Sequence, residues 1–445
     1  MRRVLSCICI IIMLSVITCG CNISVNLLPF VTDEREVVTS DVSTLSVAPV
    51  FDYEYTPMSP RLVTDKAGYE PTGKKVVFLE SEDALPAFDI IDMQSGETVY
   101  SGSMSKLDIS KDHSLHLFVG DFSEFTREGS YRILQNEVGY SHEFVIESGL
   151  YKNMYKDIYT KLVSTDYVKT GDLIYVVANL LLTNEMYENA YSELSFIDKS
   201  VETLLACRNE ETGAVSELLN GGGGESLSGC AELSGLLAKY YTVHRDEEEN
   251  ELAVRALEAA LKSYAYMDAN RDKVCRDSYY FASAEMYRAT GQLLYRNAIA
   301  LYDQAEDGLF TESEYDYTFI ADIAYLKTDI RVDYNRCERI MDGYLDDMVK
   351  LSSMTDRQHY YVQSNIDTLS IDEILDNMME LGLVSYVVSG NEYSSVKGNY
   401  VHYLMGVNGS NYNYLSDEGD IQKYIGDNAV NLSKLIFILG SRFDN

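Results

Sequence analysis

The 445-residue chain has no tryptophan, and its last proline is Pro86. Large aromatic contacts therefore fall to 36 tyrosines and 14 phenylalanines. Everything after Pro86 is free of the residue that most strongly breaks helices. Basic residues are scarce: 36 Lys and Arg stand against 70 Asp and Glu, a net charge of −34. Such a field repels nucleic acid and anionic lipid, and nucleic-acid binding is excluded. A solvated acidic surface still admits neutral partners. Four of the eight cysteines, Cys7, Cys9, Cys19 and Cys21, lie in the first 21 residues. The others, Cys207, Cys230, Cys275 and Cys337, follow no zinc spacing. Their apolar surroundings suit small buried hydrophobes, with one or two disulfides left open. The glycine-rich NGGGGES at 220–226 lacks the Gly-Lys-Ser/Thr of a phosphate loop and reads as a hairpin connection. No Gly-x-Ser-x-Gly elbow is present.

What is present divides the chain into segments. Arg2 and Arg3 precede an apolar run from Val4 to Ile17, too short for a confident membrane span. With Cys19 and Cys21 following, residues 1–21 read as a lipoprotein signal peptide. Gly20 favours Cys21 as the acylated residue; a plain secretory signal is the alternative. Either way the protein is expected outside the cytoplasm, at a bacterial cell surface through a lipid anchor, or secreted. Residues 22–58 read as a tether. Over 59–148 the runs KKVVFLE, AFDIID, ETVYSG, SLHLFVG, GSYRIL and SHEFVIE alternate with period two between Gly, Asp and Ser clusters. That pattern predicts a small antiparallel sandwich, immunoglobulin-like in architecture.

From residue 149 to 445 the period changes to that of a helix. In EEENELAVRALEAALKSYAYMDAN, Ala253, Ala256, Leu257, Ala260, Leu261 and Tyr264 share one face. Twelve such segments are predicted to start near 151, 171, 191, 228, 247, 277, 292, 317, 332, 371, 392 and 428. AEMYRATGQLLYRNAIALY and GLVSYVVSGNEYSSVKGNYVHYL both read as helix, Gly, helix, with the glycine as C-cap. Repeated hairpins of this kind close into an (α/α)6 ring or extend into an open solenoid. The ring is the expectation, because it gathers alternate loops around one cleft.

These segments resemble glycoside hydrolase family 9, the inverting cellulases with an N-terminal immunoglobulin-like domain. The resemblance rests on AGYEPTGKKVVFLE, FDIIDMQSGETVYSG and DFSEFTREGSYRI in the sandwich. In the helical part it rests on ELSFIDKSVETLLACRNEETGAVSEL, SYYFASAEMYRATGQLLYRNAI and VHYLMGVNGSNYNYL, the last similar to the family's Leu-x-Gly-x-Asn loop. It implies action on β-1,4-glucan-type polysaccharide or oligosaccharide. No cofactor is expected, and calcium enters only because some relatives bind it.

Inverting hydrolysis needs two carboxyl groups about 6.5–9.5 Å apart, one as acid and one as base. The resemblance places Asp172 on the base position, within Thr-Gly-Asp where the family has Ala-Gly-Asp. Lys169 falls on that motif's first aspartate, and the family's preceding Gly-Gly-Trp is absent. Two readings of Asp172 stay open: a pairing with Lys169 that keeps it ionised, and a plain N-terminal helix charge. The family's acid glutamate aligns with Gly426, so the neighbouring Asp427 is the candidate acid, with Glu418 and Asp420 in reserve. LSDEGD replaces the family's His-and-Arg substrate segment, and His402 reads as a helix residue. Tyr167, Tyr175, Tyr412 and Tyr414 are candidate sugar-stacking platforms, and Asn408 a candidate substrate contact in the Leu-x-Gly-x-Asn loop. Two functions stay open: a family 9-like protein with weak or altered hydrolysis, and a non-catalytic glycan-binding or structural surface lipoprotein.

Overall fold

The computed structural model describes residues 61–82, 87–107, 116–187, 194–247, 250–304, 314–355, 358–388, 391–416 and 424–441. The signal peptide, Cys21 and the tether lie outside the described residues, as do Glu418 and Asp420.

Eight strands come first: β1 Leu62–Val63, β2 Val76–Ser81, β3 Ala87–Asp92, β4 Thr98–Leu107, β5 His116–Asp121, β6 Gly129–Gln135, β7 Gly139–Tyr140 and β8 Phe144–Ile146. All six period-two runs become strands; only the two-residue β1 and β7 carry too little pattern to be read. The long β4 serves two layers. Its first half pairs with β3 and its second half, Met104–Leu107, with β5. The chain so turns from one layer, β3-β6 with β7 and β8, to the other, β1-β2-β5. Phe88 lies against Gly102 and Gly120, where any Cβ would run into its ring. Between the layers pack Leu62, Tyr69, Val77, Leu79, Phe88, Ile90, Tyr131 and Phe144.

Twelve helices follow: α1 Leu150–Ser164, α2 Thr170–Met186, α3 Leu194–Ala206, α4 Leu227–His244, α5 Glu251–Asp268, α6 Arg276–Thr290, α7 Leu293–Gln304, α8 Thr318–Leu326, α9 Tyr334–Ser353, α10 Ile371–Val387, α11 Asn391–Leu404 and α12 Ala429–Gly440. Every start falls within four residues of its expected place. Asn250 caps α5, its side chain accepting from the Ala253 amide. Gly291 ends α6 in the left-handed conformation at φ +70°, with its N–H on the Tyr287 carbonyl, as a C-capping glycine should.

Burial separates two sets of helices. α2, α4, α6 and α12 are buried nearly all round, with α8 and α10 close behind. α5 and α9 bury one stripe only, and amphipathic stripes of this kind belong to an outer layer. The inner helices pack in order, α2 on α4, α4 on α6, α6 on α8, α10 on α12, and α12 back on α2. Phe319 of α8 meets Phe437 of α12, ring centroids 5.5 Å apart. The result is an immunoglobulin-like β-sandwich followed by an (α/α)6 ring.

The sandwich and the ring share one core, into which β2 and β5 send Val76, Phe78, Leu117 and Val119. Phe78 stands edge-on to Tyr360 and Tyr361. The Lys66 N–H donates to the Met405 carbonyl at 2.9 Å, and buried Asp65 holds His402 Nδ1 at 2.6 Å. Gly406 sits at φ +129° where a Cβ would press on Lys66 and the Thr64 carbonyl. The Leu-Met-Gly of the 398–415 stretch is thus a docking point for the sandwich.

Candidate active site

The mouth of the ring is formed where inner helices begin. Residues 168–170 pair with the 216–225 hairpin: the Thr170 N–H donates to the Glu217 carbonyl and the Leu219 N–H to the Val168 carbonyl. Within the hairpin the Leu218 N–H closes on Gly222, and Gly221 and Gly223 take left-handed φ of +79° and +77°. The run of glycines is therefore a turn, and it carries one wall of a cavity.

That cavity, of about 340 Å³, is bounded by Lys169, Thr170 and Gly171 at the start of α2 and by the hairpin. Ser226, Ser228, Gly229 and Glu232 close it from α4, Cys275 from α6, and Glu314 and Tyr315 from the turn before α8. Glu232 is 5% exposed. Burial drives its carboxyl up to about 7, against a lowering hydrogen bond at 3.0 Å from the Ser278 hydroxyl; removing the charge from water outweighs one donor. Thr170 is 2% exposed and its hydroxyl has no hydrogen-bond partner. The Tyr317 hydroxyl, fully buried behind Tyr315, has none either.

Asp172, half-buried on the first turn of α2, accepts from the Tyr315 hydroxyl at 2.6 Å. The Tyr315 phenol is pushed well up by burial, then by Asp172, Glu314 and Glu232. One tyrosine thus feels both carboxylates. Tyr315 also stacks on Tyr175, centroids 5.5 Å apart and planes at 27°. Tyr175 belongs to a second cavity of about 340 Å³ between α8, α9 and α10, lined by Asp316, Asp322, Asp347, Asp376 and Glu380 among others. The Tyr175–Tyr315 pair is the partition between the two spaces. In the second, burial and the neighbouring carboxylates drive Glu380 up to about 7.

The residues singled out from sequence end in different places. Lys169 turns to Glu314 rather than Asp172. Asp427 is exposed and bonded to Lys161 of α1 at 3.1 Å, so Asp172 and Asp427 have different partners. Gly426 is buried; a side chain there would collide with the Tyr424 ring and hydroxyl and come 2.7 Å from the Leu415 carbonyl. Asn408 is fully buried and spent on its own loop, donating to the Tyr403 and Tyr412 carbonyls and accepting from the Ser410 and Tyr412 amides. Tyr414 is buried against Tyr403, and Tyr175 gives the cavity an edge while its hydroxyl meets the Asp316 carbonyl. Tyr167 is half-buried beside Phe196, its hydroxyl on the Leu162 carbonyl. Tyr412 is 43% exposed, with the Lys66 ammonium 5.5 Å from its ring centre. Cys207, Cys230, Cys275 and Cys337 form no disulfide with one another, which closes that alternative among them. Among the described residues no group of three or more His, Cys, Asp or Glu is placed to hold a metal ion.

Glu232, Tyr315, Tyr317 and Thr170 were not singled out from sequence. Glu232 had a signal: it is a carboxylate inside GCAELSGLLAKYY, a run otherwise fit for a helix buried on every side. A charge there needs a reason.

A ring of helical hairpins with a polar, carboxylate-bearing mouth, set behind a β-sandwich, defines a class of two-domain (α/α)6 proteins. Two family models specify it further: cellulase N-terminal ig-like domain over residues 58–140, and glycosyl hydrolase family 9 over 222–424. By these matches the chain is similar to glycosyl hydrolase family 9 proteins that carry an immunoglobulin-like domain in front. Asp172 and Asp427 both lie outside the matched segments. Solved structures share the fold at low identity. A Bacteroides ovatus family 9 protein superposes with TM-score 0.70 at 13% identity, over 86% of this chain and 99% of its own. A metagenome-derived family 9 endoglucanase gives 0.69 at 13%, over 85% and 98%. A thermostable endoglucanase from Alicyclobacillus acidocaldarius gives 0.68 at 15%, over 87% and 100%. No curated protein matches the chain.

Proposed function

We propose that this protein engages β-glucan-type polysaccharide at the bacterial cell surface, as a family 9 protein whose hydrolysis is weak or altered. The observation that carries the reading is the polar cavity at the ring mouth, lined by Glu232 and Tyr315, with Asp172 hydrogen-bonded to the Tyr315 hydroxyl. Its charge suits a neutral ligand and repels an anionic one. The solved family 9 neighbours are consistent with it, one of them bound to a cellobiose-like isofagomine. Asp172 is the base that takes a proton from the attacking water, and the reaction calls for no cofactor.

Wild-type protein is expected to release reducing sugar slowly from soluble β-glucan, and Asp172→Asn to remove that release while leaving retardation on a glucan gel. Retardation with no release at all would reduce the protein to a binder. That second reading has its own support: the position aligned with the family's acid is the closed Gly426, and Asp427 is ion-paired in solvent. Export and anchoring rest on Cys21. Cys21→Ser is expected to move the protein from the membrane fraction of cells into the medium, and an unchanged membrane fraction would refute the anchor.

A further inference from the structure

Gly426 leaves no room for an acid in the turn before the last inner helix, yet a buried carboxyl waits two inner helices away around the ring, on α4. We propose that Glu232 is the proton donor of this site, delivering its proton to the glycosidic oxygen of a β-glucan held in the cavity between α2, α4, α6 and α8. The inference rests on the glycan reading above and goes beyond it in naming the acid.

Three placements support it. Glu232 borders the cavity that also contains the start of α2, so it shares a space with the segment carrying Asp172. Tyr315 lines the cavity with Glu232 and donates its hydroxyl to Asp172, so one side chain connects the cavity to the second carboxyl. The Thr170 hydroxyl, buried and without a hydrogen-bond partner, borders the same cavity. Buried polar groups without partners are uncommon, and hydroxyls of a bound sugar would satisfy the one at Thr170. Burial keeps Glu232 protonated to about pH 7, the range in which a general acid works.

In the step, Glu232 gives its proton to the glycosidic oxygen as the bond from C1 to that oxygen breaks and its electron pair leaves with the oxygen. Water attacks C1 from the opposite face and gives its proton to Asp172. The products are an alcohol and a sugar with inverted anomeric hydroxyl. The proton on Asp172 returns to Glu232 through solvent, and one water is consumed.

The test compares full-length wild type with Glu232→Gln on soluble β-glucan and on 2,4-dinitrophenyl cellobioside, whose leaving group needs no proton. Glu232→Gln is expected to lose roughly 10²- to 10⁴-fold on the polysaccharide, less than about 10-fold on the aryl glycoside, and nothing in gel retardation. The wild-type rate should fall above about pH 7. Ser278→Ala removes the donor that favours the ionised carboxyl, so it should carry that fall to higher pH, a readout that survives if Glu232→Gln does not fold. Equal loss on both substrates, no loss on the polysaccharide, or an alkaline limb that Ser278→Ala leaves in place would overturn the proposal. Wild type that binds glucan but cleaves neither substrate overturns it too, leaving the binding reading intact. Wild type that neither binds nor cleaves removes that reading and the proposal together.

Discussion

Glu232 gains its properties from where α4 is put. On a surface helix it would be an ordinary carboxylate; on a helix buried on every side it holds its proton to about pH 7. The sign of the stability effect follows. The folded pKa lies above the unfolded value, so the contribution is complete below about pH 4.5 and is lost as pH rises through 7. Glu380 acts in the same direction in the neighbouring cavity. Between pH 5 and pH 8, Glu232→Gln should gain on wild type by about 2.5 kcal/mol, at about 1.4 kcal/mol for each pH unit of displacement. Urea unfolding at the two pH values checks this, and equal differences at both would contradict the burial argument. Lone residues were legible in sequence only where their surroundings were. Asp172 was found through its motif, but its partner Tyr315 lies 143 positions away in the chain, and nothing local links them.

Helices and strands were legible because their signals are local. The period of two marked six strands, and the period of 3.6 marked all twelve helices. Caps were less so. At α5 the Asn250 side chain makes the capping hydrogen bond, accepting from the Ala253 amide. α10 shows the stronger form of the device, a reciprocal capping box: the Ser370 hydroxyl accepts from the Glu373 amide while the Glu373 carboxylate accepts from the Ser370 amide. Ser370→Ala should cost about 1 kcal/mol, read as a lower urea midpoint with unchanged slope. A change well under that would show the cap to be replaced by water. The second repeat glycine, Gly390, lies outside the described residues.

At the scale of the molecule, a buried ion cluster ties the ring together near the C-terminal ends of its inner helices. Lys239 of α4 reaches Glu185 of α2 at 2.8 Å and Glu285 of α6 at 3.2 Å, and Arg288 and Lys327 also hold Glu185. Glu285 is fully buried, and its second carboxylate oxygen has the Arg288 guanidinium at 3.8 Å. Lys239→Met would leave Glu285 with that longer contact in place of its ammonium hydrogen bond, and breaking a buried pair in this way costs about 3–5 kcal/mol. The loss should shrink as pH falls far enough to protonate Glu285, whose burial raises its pKa. A melting temperature that does not move would mean the helices need no such tie. Glu185 works the other way. Burial alone would raise its pKa, but Lys239, Arg288 and Lys327 together hold it well below the usual carboxylate range. Its contribution is present at neutral pH and fades in strong acid.

By itself, the sequence determined the elements, their order and the two-domain division, because hydrophobic period, turn residues and the loss of proline all act over a few neighbouring positions. Tertiary structure alone decided which carboxyls meet. Closing the hairpins into a ring brings residues from four helices to one mouth, shuts the space at Gly426, sends Asp427 to Lys161, and takes Glu232 out of water. Proton affinity depends on that solvation and on neighbours remote in the chain, which no short stretch of residues records.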